Sequence, residues 1–144
     1  MSTARGRFRV LCVDDNQLLT ESLRRRISGD PDLEWVGVIH GGAGIHAAVI
    51  ETRPDIVLMD IDMPLVDTFA IVERLAAEAP GIRVVMFSGH VSPDYIARAL
   101  DCGAWGYLSK NDDVAALIDG IKQVGGGEII LSKEAQAVHS RRPM

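Results

Sequence analysis

The sequence contains little cysteine and no long apolar run, and these absences exclude several classes of protein. Its 144 residues include two cysteines, Cys12 and Cys102, which form no CxxC pair and are expected to be buried, reduced thiols. No stretch approaches the ~20 apolar residues that a membrane-spanning helix requires. The basic residues at the N-terminus are not followed by the apolar segment of a signal peptide. We therefore expect a soluble protein located in the cytoplasm.

Net charge and composition further limit the class of protein that this chain can be. The formal net charge is −5, which argues against broad nucleic-acid binding by this chain alone. Apolar residues make up 47% of the chain, enough for a packed core, and the length suits one domain. We find no internal repeat and no low-complexity segment. The histidines lack the spacing of a zinc site and are interpreted as surface or loop residues: His40, His46, His90 and His139.

Short apolar runs alternate with helical patterns along the chain. Each helical pattern carries its apolar residues on one face, and most end at glycine, proline or aspartate. Continuous apolar runs are typical of strands that are buried on both faces of a parallel sheet. The pattern predicts an α/β fold, a doubly wound five-stranded parallel sheet with helices on both faces. The predicted strands are Phe8–Val13, Leu33–Ile39, Ile56–Met59, Ile82–Phe87 and Trp105–Ser109.

Polar side chains follow four of these five predicted strands. Asp14 and Asp15 follow the first strand, Asp60 the third, Ser88 the fourth and Lys110 the fifth. The carboxyl ends of parallel strands meet at one edge of the sheet, which is where doubly wound folds place their functional groups. The sequence therefore predicts one site that combines carboxylates, a hydroxyl and an ammonium group.

This combination of side chains suits phosphoryl transfer to aspartate. Crowded carboxylates repel one another, and Mg²⁺, which prefers oxygen ligands and is commonly held by one or two carboxylates, relieves that repulsion. Lys110 can pair with a phosphoryl oxygen, and the Ser88 hydroxyl can donate a hydrogen bond to another. Asp60 is then free to attack phosphorus and form an acyl phosphate.

The same residues carry a family resemblance. The acid pair at 14–15, the Asp-x-x-Met-Pro motif at 60–64, Ser88 and the Gly-Tyr-Leu-Ser-Lys motif at 106–110 together resemble the CheY-like response regulator receivers. The resemblance extends from about Phe8 to Val124 and implies the flavodoxin-like fold of that family. It also implies a division of the chain into a receiver domain at 1–127 and, at 128–144, a C-terminal tail or the start of a linker.

The resemblance implies a metal site and a phosphoacceptor. Asp60 is expected to accept the phosphoryl group. Asp15 is expected to bind Mg²⁺ directly, with Asp14 supporting it through water, and the backbone carbonyl of Asp62 is the remaining protein ligand. Such a protein catalyses only its own phosphorylation and dephosphorylation, so it is not expected to be an enzyme in the usual sense.

The resemblance also implies a conformational switch. Ser88 and Lys110 are expected to contact the phosphoryl group. Tyr107 is expected to be the switch aromatic, which turns inward when Ser88 moves toward the phosphate. The surface formed by the predicted helix four (95–100), strand five (105–108) and helix five (113–124) is then expected to change shape. Homodimers through that surface, or through helices one and five, are the predicted assemblies.

Two segments are similar to the NarL/FixJ group within this family. They are residues 105–113 and the Gly-Gly-Glu-x-x-Leu-Ser stretch at 126–132. Proteins of that group usually continue into a helix-turn-helix domain. The resemblance thus implies phosphorylation by a sensor histidine kinase in a two-component phosphorelay and control of transcription, with DNA bound only by a domain absent from this chain.

Thr68 departs from the family pattern, because glycine usually follows the aspartate at this position. Threonine resists some backbone angles that glycine permits, so the loop after strand three is expected to be reshaped. This departure keeps open an alternative, a pseudo-receiver that binds partners without being phosphorylated. A second alternative is a haloacid-dehalogenase-type phosphatase, suggested by Asp60-Ile-Asp62. Against it stand Pro64, the order of the acids along the chain and the lack of room for a cap domain.

Overall fold

Strands and helices alternate through the part of the chain that the computed structural model describes, residues 7–41 and 44–140. The six strands are β1 (Phe8–Val13), β2 (Leu33–Ile39), β3 (Ile56–Met59), β4 (Arg83–Ser88), β5 (Gly106–Ser109) and β6 (Ile130–Leu131). The six helices are α1 (Gln17–Ser28), α2 (Ile45–Thr52), α3 (Thr68–Glu78), α4 (Pro93–Asp101), α5 (Val114–Gly125) and α6 (Lys133–Ser140). Within these described ranges, no helix is long and apolar enough to cross a membrane.

The strands form one sheet in the order β2-β1-β3-β4-β5-β6, and every neighbouring pair is parallel. The predicted doubly wound α/β fold is therefore confirmed. The predicted count of five strands is wrong by one, because the sheet has a sixth strand, β6, that the sequence pattern does not predict. β6 has only two residues, so its sequence carries no strand periodicity, and its assignment depends on pairing with β5.

The core lies on both faces of the sheet, because successive residues of a strand point to opposite sides. Leu11 and Val13 pack toward α2, α3, α4 and α6, whereas Val10 and Cys12 pack toward α1 and α5. All four residues of β3 are buried, as expected for a central parallel strand. Two packed faces hold the strands rigidly and so fix the positions of the residues that follow them.

Five of the described helices begin at polar side chains that accept a hydrogen bond from the first turn. The accepting residues are Asn16, Asp67, Ser92, Asp113 and Ser132. Asp113, and not the nearby Asn111, caps α5. Asp113 takes the extended capping conformation and accepts from the Ala116 N–H at 2.8 Å, while the Asn111 side chain donates to Glu134 instead.

The segment after α5 adds to the same sheet. The Ile130 N–H donates to the Trp105 carbonyl at 3.1 Å and the Ser132 N–H to the Tyr107 carbonyl at 3.0 Å, which pairs β6 with β5. The helix α6 follows β6 directly, and its Ala135 is completely buried. The domain boundary after Gly127 stays a prediction, although residues 130–140 pack directly on the same core.

Two glycines make room for β6. A Cβ at Gly106 would lie 2.9 Å from the Ile130 carbonyl oxygen, closer than real Cβ atoms approach such an atom. A Cβ at Gly120 would lie 2.8 Å from Cδ1 of Ile130. The main sheet and α5 are thus shaped to receive the C-terminal segment, which covers the edge of β5.

Candidate functional site

The strand ends bring the predicted site residues together at one edge of the sheet. One carboxylate oxygen from each of Asp14, Asp15 and Asp60 lies within 4.8 Å of the other two. The Lys110 Nζ lies 2.7 Å from Oδ2 of Asp14 and 3.3 Å from Oδ1 of Asp60. Ser88, at the end of β4, is completely buried beside them.

The backbone holds the two buried acids in register with the sheet. The Asp14 N–H donates to the Ile39 carbonyl and the Asp60 N–H to the Val13 carbonyl, both at 2.9 Å. These bonds continue the parallel ladders by one residue past β1 and β3. Asp14 and Asp60 are buried, while Asp15 is exposed and reaches the cluster from the rim.

Burial and charge set the ionisation of the cluster. Burial and the nearby Asp14 charge raise the pKa of Asp60, and Lys110 only partly opposes this effect. Burial lowers the pKa of Lys110, but its hydrogen bond with Asp14 and the charges of both acids outweigh burial, so its pKa is raised overall. Lys110 therefore stays protonated at neutral pH and neutralises part of the negative charge.

The donor set fits a hard divalent cation. Oδ2 of Asp14 is buried, and its partner among the described residues is the Lys110 ammonium at 2.7 Å. Three carboxylates face a single ammonium, so the site carries uncompensated negative charge. Oxygen ligands of this kind, with one acid at the rim and open to water, match the preferences of Mg²⁺.

The serine and the tyrosine are linked through the loop after β4. The Ser88 Oγ accepts a hydrogen bond from the His90 N–H at 2.9 Å and lies 3.3 Å from the Asp62 carboxylate, to which it donates. Tyr107 is completely buried, and its hydroxyl donates to the His90 carbonyl. Burial also raises the pKa of Tyr107. The tyrosine is thus already turned inward, so its predicted movement with Ser88 stays a prediction.

Sequence reasoning missed the contact of the Asp62 carboxylate with Ser88, and it missed Glu134 entirely. Asp62 was expected to contribute its backbone carbonyl, whereas its carboxylate also accepts from Ser88. Glu134 accepts hydrogen bonds from Ser109 and Asn111, on either side of Lys110. No local pattern marks Glu134, because it lies in the C-terminal segment and reaches the site only through folding.

Thr68 is accommodated at the start of α3. It is buried, directly follows the capping Asp67, and donates its hydroxyl to the Ile61 carbonyl at 3.2 Å. The positive φ in this loop, 63°, falls on Leu65 rather than on Thr68. The backbone therefore does not need glycine at position 68, and the hydroxyl ties α3 to the loop that carries Asp60.

We expect Thr68→Gly to lower the free energy of unfolding by about 2 kcal/mol. It removes a buried hydrogen bond and a buried methyl group and places glycine in a helix. Thr68→Ser keeps the hydroxyl and is expected to lose less than half as much. Urea unfolding of the three proteins measures both effects, and a glycine variant as stable as the wild type would contradict this account of Thr68.

The raised pKa of Asp60 predicts an unusual dependence of stability on pH. A carboxyl whose pKa is higher in the folded state stabilises the fold fully below its unfolded pKa, near 3.8. That contribution is lost as the pH rises through the folded pKa. Asp60→Asn is therefore expected to be more stable than the wild type at pH 7 without metal, with the difference shrinking toward pH 4. Urea midpoints at both pH values test this, and a less stable variant at pH 7 would show the sign to be wrong.

Comparisons with known proteins agree with this geometry. The family model described as the response regulator receiver domain matches residues 10–122. The transcriptional regulatory protein DegU of Brevibacillus brevis is 33% identical over 122 residues, which cover 85% of this chain and 52% of that protein. LiaR of Bacillus subtilis, also a transcriptional regulatory protein, is 30% identical over 136 residues, which cover 93% of this chain and 64% of that protein. The chain thus spans between half and two thirds of the length of these relatives.

Solved structures of response regulators resemble this chain in the same way. A two-component response regulator of the LuxR family from Aurantimonas sp. SI85-9A1 superposes with a TM-score of 0.87 at 25% identity, covering 93% of this chain and 96% of that one. The receiver domain of the putative response regulator NarL from Mycobacterium tuberculosis superposes with a TM-score of 0.79 at 26% identity, covering 85% and 98%. Sequence, fold and the acidic edge of the sheet agree, and the chain belongs to the response regulator receiver domain family, with relatives among the NarL/LuxR-type transcriptional regulators.

Proposed function

We propose that Asp60 accepts a phosphoryl group from a sensor histidine kinase, with Mg²⁺, and that the resulting change of conformation controls transcription through an output domain. The observation that carries this proposal is the position of Lys110, whose ammonium lies between the carboxylates of Asp14 and Asp60. An ammonium in that position can move to a phosphoryl oxygen while remaining next to the acids.

The chain's own acids would hold the metal. Asp15, at the rim, would bind Mg²⁺ directly, Asp14 would support it through water, and Asp60 and the backbone carbonyl of Asp62 would complete the protein ligands. When bound, Mg²⁺ neutralises charge that the phosphoryl oxygens bring into the site. The close grouping of three carboxylates around one ammonium supports this arrangement.

These residues can carry out the transfer step without any further protein group. A carboxylate oxygen of Asp60 attacks the phosphorus of a phosphohistidine, a P–O bond forms, the P–N bond breaks, and the imidazole leaves with the bonding electron pair. Lys110 turns from the acids to a phosphoryl oxygen, and the Ser88 hydroxyl turns from Asp62 to another.

The two alternatives are less well supported. A pseudo-receiver does not need the complete set of acids, hydroxyl and ammonium that lies at this edge of the sheet. A haloacid-dehalogenase-type phosphatase is not favoured either, since the relatives are signalling regulators. The chain therefore acts on its own aspartate and does not turn over a separate phosphate ester.

Dimerisation is the expected response to phosphorylation. β6 pairs with the edge of β5, and α6 packs against α4, so part of the surface around α4, β5 and α5 is already covered by the chain itself. The other predicted surface, formed by α1 and α5, carries exposed charged residues at Arg24, Arg25 and Asp119. We favour the α1–α5 surface as the contact with a second copy.

The experiment that tests the proposed function is intact-protein mass spectrometry after incubation with acetyl phosphate. The expected result is a gain of one phosphoryl group that depends on Mg²⁺. The absence of a gain with and without Mg²⁺ would overturn the proposal in favour of the pseudo-receiver.

A further inference from the structure

The turn after β5 is tied to the C-terminal segment on both sides of Lys110. The Ser109 hydroxyl donates to Oε1 of Glu134, and the Asn111 side-chain amide donates to the same oxygen at 3.1 Å. The Ser109 N–H donates to the Ser132 hydroxyl at 3.1 Å, and the Glu134 N–H donates to the Asp112 carboxylate at 3.3 Å. One carboxylate oxygen therefore holds the residues immediately before and after the lysine.

These bonds restrain the main chain of Lys110 from the side opposite β4. The Lys110 N–H donates to the Ser88 carbonyl at 2.9 Å, which holds the residue against the sheet. Glu134 holds its two neighbours from the C-terminal side. A long lysine side chain reaches the same point consistently only when its Cα is fixed, so these restraints favour the placement of Nζ beside Asp14 and Asp60.

Packing fixes Glu134 in turn. The next residue, Ala135, is completely buried in the apolar core between the sheet and α4, and Leu131 and Val138 pack against that core cluster. That cluster includes the inward Tyr107 and Ile96 of α4. The carboxylate is thus held by a helix that lies over the switch tyrosine.

We propose that Glu134 is a positioning residue for the phosphoryl site, acting through Lys110, and that it couples the docking of α6 to occupation of the site. The inference rests on the proposed function of Asp60. Because coupling between two sites is reciprocal, occupation of the phosphoryl site then strengthens the docking of α6, and loss of that docking weakens phosphoryl binding.

The first test compares two equilibria in four proteins: wild type, Glu134→Ala, Glu134→Gln and the control Lys133→Ala, which changes an exposed neighbour. Calorimetry measures the affinity for Mg²⁺ alone and then for beryllofluoride in saturating Mg²⁺. Glu134→Ala is expected to weaken beryllofluoride binding about fivefold to tenfold, as expected for two lost hydrogen bonds, and to leave Mg²⁺ affinity unchanged. Glu134→Gln keeps an oxygen that accepts both bonds and is expected to match the wild type, as is Lys133→Ala.

The second test measures hydrogen exchange, first without and then with a loaded site. Hydrogen exchange of the metal-free proteins is expected to be faster at residues 109–112 in Glu134→Ala than in Glu134→Gln. In the wild type, adding Mg²⁺ and beryllofluoride is expected to slow exchange across 133–140, and this effect is expected to be lost in Glu134→Ala. If that variant folds poorly, Asn111→Ala, at an exposed residue, removes one of the two bonds and is expected to weaken beryllofluoride binding about twofold to threefold.

The outcomes separate this inference from the proposed function. Equal beryllofluoride affinity in the wild type and Glu134→Ala would overturn the positioning role alone. Parallel losses of Mg²⁺ affinity, beryllofluoride affinity and stability would also overturn it, because they indicate general unfolding. A wild-type chain that binds no beryllofluoride would overturn the proposed function, and the positioning role with it.

Discussion

Asp60→Asn is expected to gain no phosphoryl group from acetyl phosphate in the presence of Mg²⁺, under conditions in which the wild type gains one. The amide that replaces the carboxylate is not a nucleophile toward phosphorus. Neither neighbouring acid is expected to substitute for it, because Asp15 is expected to bind the metal directly and Asp14 to support the metal through water. Intact-protein mass measures the result directly, and the expected effect is complete loss.

Asp62→Asn is the matched control for this variant. It makes the same chemical change two residues away, at an acid that contacts Ser88 and is expected to bind metal only through its backbone carbonyl. It should therefore still accept the phosphoryl group. Urea unfolding shows whether both variants are folded. If Asp60→Asn were labelled as fast as the wild type, the acceptor would lie elsewhere and the assignment of Asp60 would be wrong.

The second large effect is expected from Lys110→Ala in the absence of metal. Removing the ammonium leaves Asp14 and Asp60 without their shared cation in a largely buried site. We expect the free energy of unfolding at pH 7 to fall by about 2–3 kcal/mol, less than for a fully buried pair because part of Lys110 is exposed. Mg²⁺ is expected to restore most of this loss, since it supplies the missing positive charge. Urea unfolding with and without Mg²⁺ measures both quantities.

Lys122→Ala provides the control for charge removal in general. Lys122 also pairs with two acids, Asp30 at 2.9 Å and Asp32 at 3.2 Å, but this group lies at the surface on the α5 side of the sheet. Its removal is expected to cost far less stability, and Mg²⁺ should not restore the loss. A Lys110→Ala protein whose stability is unchanged, or does not respond to Mg²⁺, would contradict the proposed charge balance.

The fold could be predicted from local patterns because each central strand is an uninterrupted apolar run. β3, with four buried residues, is the clearest case. A short, continuous apolar run that lies between two helices along the chain is typical of a buried parallel strand. The site could be predicted for a related reason. Asp14, Asp60 and Lys110 each follow a strand, Ser88 is the last residue of one, and parallel strands end at one edge, so sequence position was enough to group them.

Contacts between distant segments account for what could not be predicted. β6 has two residues and becomes a strand only against β5, where Gly106 leaves room for Ile130. Asp113 rather than Asn111 caps α5, since Asn111 is engaged by Glu134 from the next helix.

The surroundings of individual side chains also depend on contacts between distant segments of the chain. The buried hydroxyl of Thr68 finds its acceptor seven residues away at Ile61, and Tyr107 is enclosed by α4 and α6. Residue type and spacing set which chemical groups meet at the edge of the sheet. Distances, inward orientations and the docking of the C-terminal segment depend on packing between elements far apart in the chain, which no local pattern encodes.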